Sequence, residues 1–150
     1  MSPKFKIVLA IVFVAIAVYM GFRNTWEDFT GPTVRIGETA FVVEIADTPE
    51  FRTQGLSDRP YLAKGRGMLF IFNPPSLPSF WMKDMQFPLD IIWIREGRVA
   101  GTSEDLPPAL NAAFPPVYTP PTLVDYVLEV NAGEVARYNI KAGDPVEIQD

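Results

Sequence analysis

Two apolar runs in the segment 65–94 are interrupted by single charged residues that could do chemistry. Lys83 interrupts the first run, and Asp90 heads the second run, Ile91–Ile94. An unpaired buried charge costs several kcal/mol, so each group must be solvated, paired or used in a site. Asp90 shares a strand face with alternate residues of its run, which predicts that its carboxylate enters low-polarity surroundings. We expect it to meet a cationic partner, and the candidates are Lys83, Arg52 and Arg66.

These charged residues support two interpretations. Either Asp90 belongs to a buried ion pair that fixes strand register, or a polar cluster binds a ligand or a protein partner, with Arg52, Arg66, Lys83 and Asp90 as the candidate binding residues. The chain has no histidine and no cysteine. That excludes the usual neutral-pH general base, thiol chemistry, disulfides and the usual zinc ligands. The sequence therefore favours binding over catalysis, and we expect no cofactor.

Carboxylates alone permit one enzymatic alternative. In glycoside hydrolysis one acid donates a proton while a second acts as base or nucleophile at a set separation. The chain offers Asp84, Asp90, Glu44 and Glu129 for such a pair, and no motif selects among them. Solvated sheet faces explain Glu44 and Glu129 equally well. A hydrolase of cell-envelope carbohydrate is thus the runner-up to a binding domain.

Methionine and aromatic residues suggest two further sites. Thioethers are soft ligands that favour Cu(I), and three methionines stand near Trp81, namely Met68, Met82 and Met85. Methionine beside aromatic residues more often fills a core. Aromatic side chains could also form a stacking face for glycans or peptides, although core packing explains them too. The aromatic candidates are Phe80, Trp81, Trp93 and Tyr61.

The N-terminal residues have the pattern of a membrane anchor. Two lysines precede an uncharged run from Ile7 to Phe22, which as a helix would span about 24 Å. The positive-inside rule predicts a single pass with 1–4 cytoplasmic, 5–22 as a signal anchor, 23–32 as a tether and 33–150 as an extracytoplasmic domain. Cleavage at Ala15-Ile16-Ala17 is the alternative. Beyond residue 22 there are 11 basic and 18 acidic residues, so nucleic acid is not expected as a partner.

Composition and periodicity predict a mainly β fold for the domain, either a β-sandwich or a partly open barrel. The chain has 150 residues, 48% of them hydrophobic, with 15 prolines and 10 glycines spread between apolar runs. We predict strands over 39–46, 67–72, 80–83, 89–95 and 124–130, a turn at 96–98 and a last strand over 146–148. Short helices are expected over 49–54, capped by Thr48, and over 131–138, capped by Asn131. Segments 73–79 and 103–121 are expected to be loops.

Several motifs occur in an order that resembles a known family. They are R-x-x-G-L-S-x-R from Arg52, G-M-L-F from Gly67, F-W-M-K from Phe80, P-L-D-I-I from Pro88 and L-E-V-N-A-G from Leu128. Over roughly 38–148 the chain is similar to the domain-of-unknown-function family one hundred and ninety-two. The resemblance implies a compact β-sandwich of jelly-roll type, often behind a signal or anchor segment, with no established activity. Many members have an asparagine-threonine pair after the family lysine, where this chain has Asp84-Met85.

Overall fold

Nine strands and two short helices form in the part of the chain that the computed structural model describes, residues 31–110 and 112–150. The helices are α1 (Pro49–Gln54) and α2 (Glu134–Tyr138). The strands are β1 (Thr33–Ile36), β2 (Thr39–Ala46), β3 (Arg66–Ser76), β4 (Phe80–Trp81), β5 (Leu89–Arg95), β6 (Arg98–Leu106), β7 (Val117–Tyr118), β8 (Val124–Asn131) and β9 (Val146–Gln149).

The predicted anchor over 5–22 lies outside the described residues, as do 1–4 and most of the predicted tether. Within 31–110 and 112–150, no helix is long and apolar enough to cross a membrane.

Seven strands form one sheet in the order β6-β5-β8-β3-β2-β1-β9, and β4 pairs with β7 in a separate two-stranded sheet. The pairing of β2 with β3 is parallel, and the other pairings are antiparallel. The large sheet curls until its two edges meet. The Val99 amide donates to the Asp144 carbonyl at 2.9 Å, and the Val146 amide donates to the Gly97 carbonyl at 2.8 Å. The mainly β prediction is confirmed, but the seven-stranded sheet curls on itself, as in a partly open barrel, instead of forming a β-sandwich.

Apolar side chains cover both faces of the sheet centre. The inner core, on the concave side of the curl, contains Phe41, Leu69, Ile92 and Leu128 among its residues. The outer core contains alternate residues of the same strands, together with the segments that pack over them. Its members include Phe70, Ile91, Trp93, Val127, Leu56, Met82 and Met85. Strands β3 and β5 are therefore buried on both faces, as their nearly continuous apolar runs require.

Local patterns located most elements correctly. Strands β2 and β5 have the predicted bounds, and the predicted turn at 96–98 joins β5 to β6. Helix α1 also begins and ends as predicted, because the Thr48 hydroxyl accepts the Phe51 amide at 3.2 Å and Gly55 ends the helix with φ of 51°. Strand β3 runs on to Ser76 across an irregularity in its pairing, so 73–79 is less irregular than expected. Strand β6 likewise extends to Leu106, into the segment predicted as a loop.

The predicted start of the second helix at Asn131 is wrong. Asn131 is the last residue of β8, and α2 starts after Gly133, which has φ of 84° and offers no side-chain cap. The Asn131 side chain instead donates to the carbonyl of Leu62 at 2.9 Å. It thereby fixes the segment after α1 over the outer face of the sheet.

Candidate functional site

An apolar cleft of about 420 Å³ opens on the outer face of the sheet. We call it the Glu129 cleft, because the Glu129 side chain reaches it from the sheet beneath. Helix α1 and the residues after it form one wall, and the segment around β4 forms the other. The lining residues that carry the argument are Arg52, Phe70, Phe80, Trp81, Met85 and Glu129.

Strand register places Glu129 at the centre of the sheet. It lies opposite Met68 on β3 and opposite Ile91 on β5, so apolar side chains flank it on both sides. Gly67 allows the close approach of β3 to β8 here, because a Cβ at this position would lie 2.7 Å from the Glu129 carbonyl oxygen. The side chain leaves the outer face, where the coverings from α1 and β4 exclude most water.

The carboxyl group of Glu129 faces the cleft without a partner among the described residues. Glu129 as a whole residue is 5% exposed. Within residues 31–110 and 112–150, no side chain or amide donates a hydrogen bond to it or forms an ion pair with it. Burial alone raises the pKa of Glu129 to about 8, because no counter-charge offsets the loss of hydration. At neutral pH the group is therefore mostly the uncharged acid, with one O–H donor and acceptor oxygens facing the cleft.

The neighbouring carboxylates differ from Glu129 because each has a cation. The Arg59 guanidinium makes two hydrogen bonds to Glu44, at 2.6 and 2.8 Å, and this contact lowers the pKa of Glu44. Asp125 pairs with Arg95 at 3.1 Å. Among the described residues, Glu129 is the only carboxylate that lines the cleft.

Arg52 is held rigidly at the wall formed by α1. Its guanidinium donates to the Asp47 carbonyl at 2.6 Å and to the Ile71 carbonyl at 3.1 Å. It also lies over the ring of Phe72, 5.5 Å from the centroid. Two backbone acceptors and a ring fix the position of this charge, so it can face a ligand with little further loss of side-chain entropy.

Aromatic rings form much of the remaining lining. Phe80 makes edge-to-face contacts with Phe70 at 4.9 Å, with Trp93 at 5.6 Å and with Phe72 at 6.5 Å between centroids. Trp81 continues this lining and is 53% exposed. The cleft thus combines π faces, one neutral acid and one cation.

Asp90 lies on the other face of the sheet. It is fully buried, and its two carboxylate oxygens accept the amides of Asp105 at 2.8 Å and Val135 at 2.9 Å. The expected ion pair of Asp90 with Lys83, Arg52 or Arg66 does not form. Two backbone donors satisfy the carboxylate, and one of them belongs to the first turn of α2, which lacks its own side-chain cap.

The remaining predicted site residues are dispersed. Arg66 begins β3 and contributes to the lowered pKa of Glu44. Lys83 is exposed, and its carbonyl accepts the Ser57 hydroxyl at 3.3 Å. Of the four candidate binding residues, Arg52 is the one that lines the Glu129 cleft, and the sheet separates Asp90 from that cleft.

The methionine and carboxylate alternatives can also be located. Met68, Met82 and Met85 are buried in the outer core, where packing accounts for them. Within 31–110 and 112–150, no group of three or more Asp or Glu side chains is arranged to hold a metal ion. Glu44 is exposed, as a solvated face predicts, but the same prediction for Glu129 is wrong. A charged residue between Leu128 and Val130, near the end of the strand Val124–Asn131, was the signal for it.

Comparisons with known proteins agree with the fold. A family model for DUF192, described as an uncharacterised ACR, matches residues 32–148. A protein of unknown function from Novosphingobium aromaticivorans DSM 12444 has a similar solved structure, with 33% identity and a TM-score of 0.70, covering 77% of this chain and 83% of that one. A Sinorhizobium meliloti 1021 protein described as a "putative transcription regulator" has 33% identity and a TM-score of 0.71, covering 78% of this chain and 92% of that one. No curated protein matches the chain.

Proposed function

This chain belongs to the DUF192 family, and we propose that its β domain is a ligand-binding domain whose site is the Glu129 cleft. The observation that carries the proposal is the Glu129 carboxyl group, buried beneath an apolar cleft with no partner of its own. Small-molecule sites typically have this form, with apolar and aromatic walls around a few polar groups. A perturbed acid inside such a cleft is a further mark of a site.

The energetic cost of Glu129 supports a functional role. A pKa of about 8 in the folded protein, against 4.5 for an ordinary glutamate, corresponds to roughly 5 kcal/mol of lost stability once the group is ionised. A leucine or methionine would fill the same place between Met68 and Ile91 without that cost. Natural proteins accept local instability mainly where activity or binding requires it.

A hydrolase is less well supported than a binding domain. Acid-base hydrolysis of a glycoside needs two carboxyl groups facing the same bond. Among the described residues the cleft has one, because Glu44 is paired with Arg59 outside it. Glu129 has the raised pKa that a general acid needs, but a partner carboxylate for it is missing there.

We also propose that the domain is tethered to a membrane and faces the extracytoplasmic side. The support is the sequence pattern of Lys4, Lys6 and the uncharged run Ile7–Phe22. The acidic excess of the chain supports a small ligand or an envelope protein as partner, rather than nucleic acid. Fractionation tests the tether: the full chain should pellet with membranes and resist alkaline extraction, and a chain that stays in the soluble fraction contradicts it.

Chemical-shift mapping tests the cleft as a binding site. The probe is 2-phenylethanol, a small neutral aromatic molecule, titrated into the purified full chain with methyl-labelled methionine. We expect saturable shifts at Met85, which lines the cleft. Shifts that stay linear with concentration, or that spread evenly over the methionines, would rule out a specific site.

A pair of tryptophan variants locates the binding. Thr53→Trp fills the cleft from an exposed position on α1, and Gln149→Trp adds the same ring at an exposed position on β9, away from the cleft. Binding should be lost in the first variant and kept in the second. Equal binding in both variants would show that the probe sits elsewhere.

A further inference from the structure

We propose that the Glu129 cleft binds an organic ammonium ion, a primary amine carried on an aromatic or aliphatic body. This inference rests on the binding function proposed above and names the chemical class of its ligand. It follows from what surrounds the carboxyl group of Glu129, and from what lies at the opposite end of the cleft.

The first step is the missing partner of Glu129. Its strand neighbours are Met68 and Ile91, where a lysine or arginine would have supplied a counter-charge from within the sheet. An ammonium group placed at hydrogen-bond distance supplies that charge together with three N–H donors. In a water-poor site the attraction between the two charges is much stronger than in bulk water. A cationic ligand therefore gains most from this position.

The second step is the aromatic lining. Phe70, Phe72, Phe80 and Trp81 all line the same cleft as Glu129. The faces of aromatic rings attract cations, and recognition of ammonium groups commonly combines several rings with a carboxylate. The same rings also pack against the apolar body of the ligand, so one lining serves both parts of an amine.

The third step concerns Arg52, whose positive charge would oppose a cation. Its guanidinium is bonded to the Ile71 carbonyl, which is three residues along β3 from Met68 and one strand away from Glu129. Arg52 does not lower the pKa of Glu129, which burial alone raises, so its charge acts only weakly at the Glu129 carboxyl group. Contact with Glu129 therefore outweighs repulsion by Arg52.

Other charged groups on the surrounding elements leave Glu129 free to respond to a ligand. None of them acts on Glu129 as a counter-charge, because burial is the only cause of its raised pKa. On the outer face these groups are Arg52 on α1, Glu44 on β2, Arg66 on β3, Arg95 on β5, Asp125 on β8, and Lys83 and Asp84 after β4.

Three probes of matched size test the inference on the full chain. They are 2-phenylethylamine, which is a cation at neutral pH, neutral 2-phenylethanol and anionic 3-phenylpropionate. Calorimetric titration at pH 7 should show the amine binding about tenfold or more tightly than the alcohol, with the anion weakest. Titrations in two buffers of different ionisation enthalpy should show release of about one proton per amine bound, because Glu129 ionises as the pair forms.

Matched variants decide whether Glu129 causes the preference. Glu129→Gln should remove both the amine preference and the proton release while binding of the alcohol persists. Glu147→Gln, an exposed acid on β9, should change neither. If the alcohol or the anion binds as well as the amine, or if the preference survives Glu129→Gln, the ammonium assignment is wrong while the cleft remains a binding site. If no probe binds, the proposed binding function fails with it.

Discussion

Two buried acids on neighbouring strands of this sheet have opposite surroundings. Asp90 on β5 lies opposite Val130, the residue that follows Glu129 on β8, yet the two side chains leave opposite faces of the sheet. The two carboxylate oxygens of Asp90 accept the backbone amides of Asp105 and Val135, at 2.8 and 2.9 Å. Glu129 receives no donor from the described residues and borders a cleft instead.

The difference separates a structural acid from a candidate binding group. A buried carboxylate with two amide donors joins elements together, and in this domain it connects β5 to α2 and to the end of β6. A buried acid without donors is destabilising when ionised, and it can be compensated only by something that enters the cleft. Burial alone therefore does not distinguish the two roles, whereas the set of hydrogen-bond partners does.

The largest effect is expected from the titration of Glu129. Its folded-state pKa of about 8 is higher than the ordinary 4.5, so the folded protein holds this proton more tightly than the unfolded chain. The proton held by Glu129 contributes fully to the free energy of unfolding below pH 4.5. That contribution is lost as the pH rises through about 8. The loss amounts to roughly 5 kcal/mol. Urea unfolding between pH 5 and pH 9 measures it.

Glu129→Gln isolates that contribution from other titrating groups. The amide is nearly the same size and stays uncharged, so the variant should match the parent protein at pH 5 and be several kcal/mol more stable at pH 9. Glu147→Gln, at an exposed position, should leave the pH profile unchanged. A variant that is less stable than the parent at pH 9 would mean that Glu129 has a stabilising partner.

Asp90→Asn should have the next largest effect, with the opposite sign. The NH₂ of the new amide side chain replaces one carboxylate oxygen and faces one of the two backbone N–H groups. The N–H of Asp105 or of Val135 therefore loses its acceptor. We expect a loss of about 3 kcal/mol in the free energy of unfolding, measured by urea titration at pH 7. A midpoint equal to that of the parent protein would show that these amides find other acceptors, and the contrast with Glu129 would then weaken.

Thr48→Ala should have the smallest effect on the free energy of unfolding. It removes the N-cap of α1, which forms one wall of the Glu129 cleft. The Thr48 hydroxyl accepts the Phe51 amide and begins α1, so its removal should cost about 1 kcal/mol. Thr122→Ala, at an exposed position before β8, should change the stability by less than about 0.5 kcal/mol. Because α1 carries Arg52, hydrogen exchange should rise in 49–55 for the first variant. Equal exchange in the two variants would show that the cap does not hold this wall.

Local signals predicted much of the fold from the sequence. Alternation defined β2 and β8, and the sequence from Thr48 to Gly55 defined α1, because caps and periodicity depend on neighbouring residues alone. The sequence did not reveal β1, whose four residues gain order only by pairing between β2 and β9. The single curled sheet also required knowledge of which strands pair across the chain.

The candidate site was predicted less well than the fold. The importance of Asp90 was predicted, but its partners were not, because backbone amides from α2 and β6 carry no sequence label. Glu129 was misread as solvated, since alternation in β8 shows that a residue faces away from the inner core but not what covers the outer face. Here α1 and the β4 segment cover it, and this arrangement depends on tertiary structure.

Direct titration of the Glu129 carboxyl carbon by ¹³C NMR, in the full chain without ligand, tests the central claim most directly. A midpoint near pH 8, lost in Glu129→Gln and shifted downward when 2-phenylethylamine is added, is the expected result. A midpoint near 4.5 would mean that the group is hydrated or paired in the folded protein. The Glu129 cleft would then have no unpartnered acid to offer a ligand.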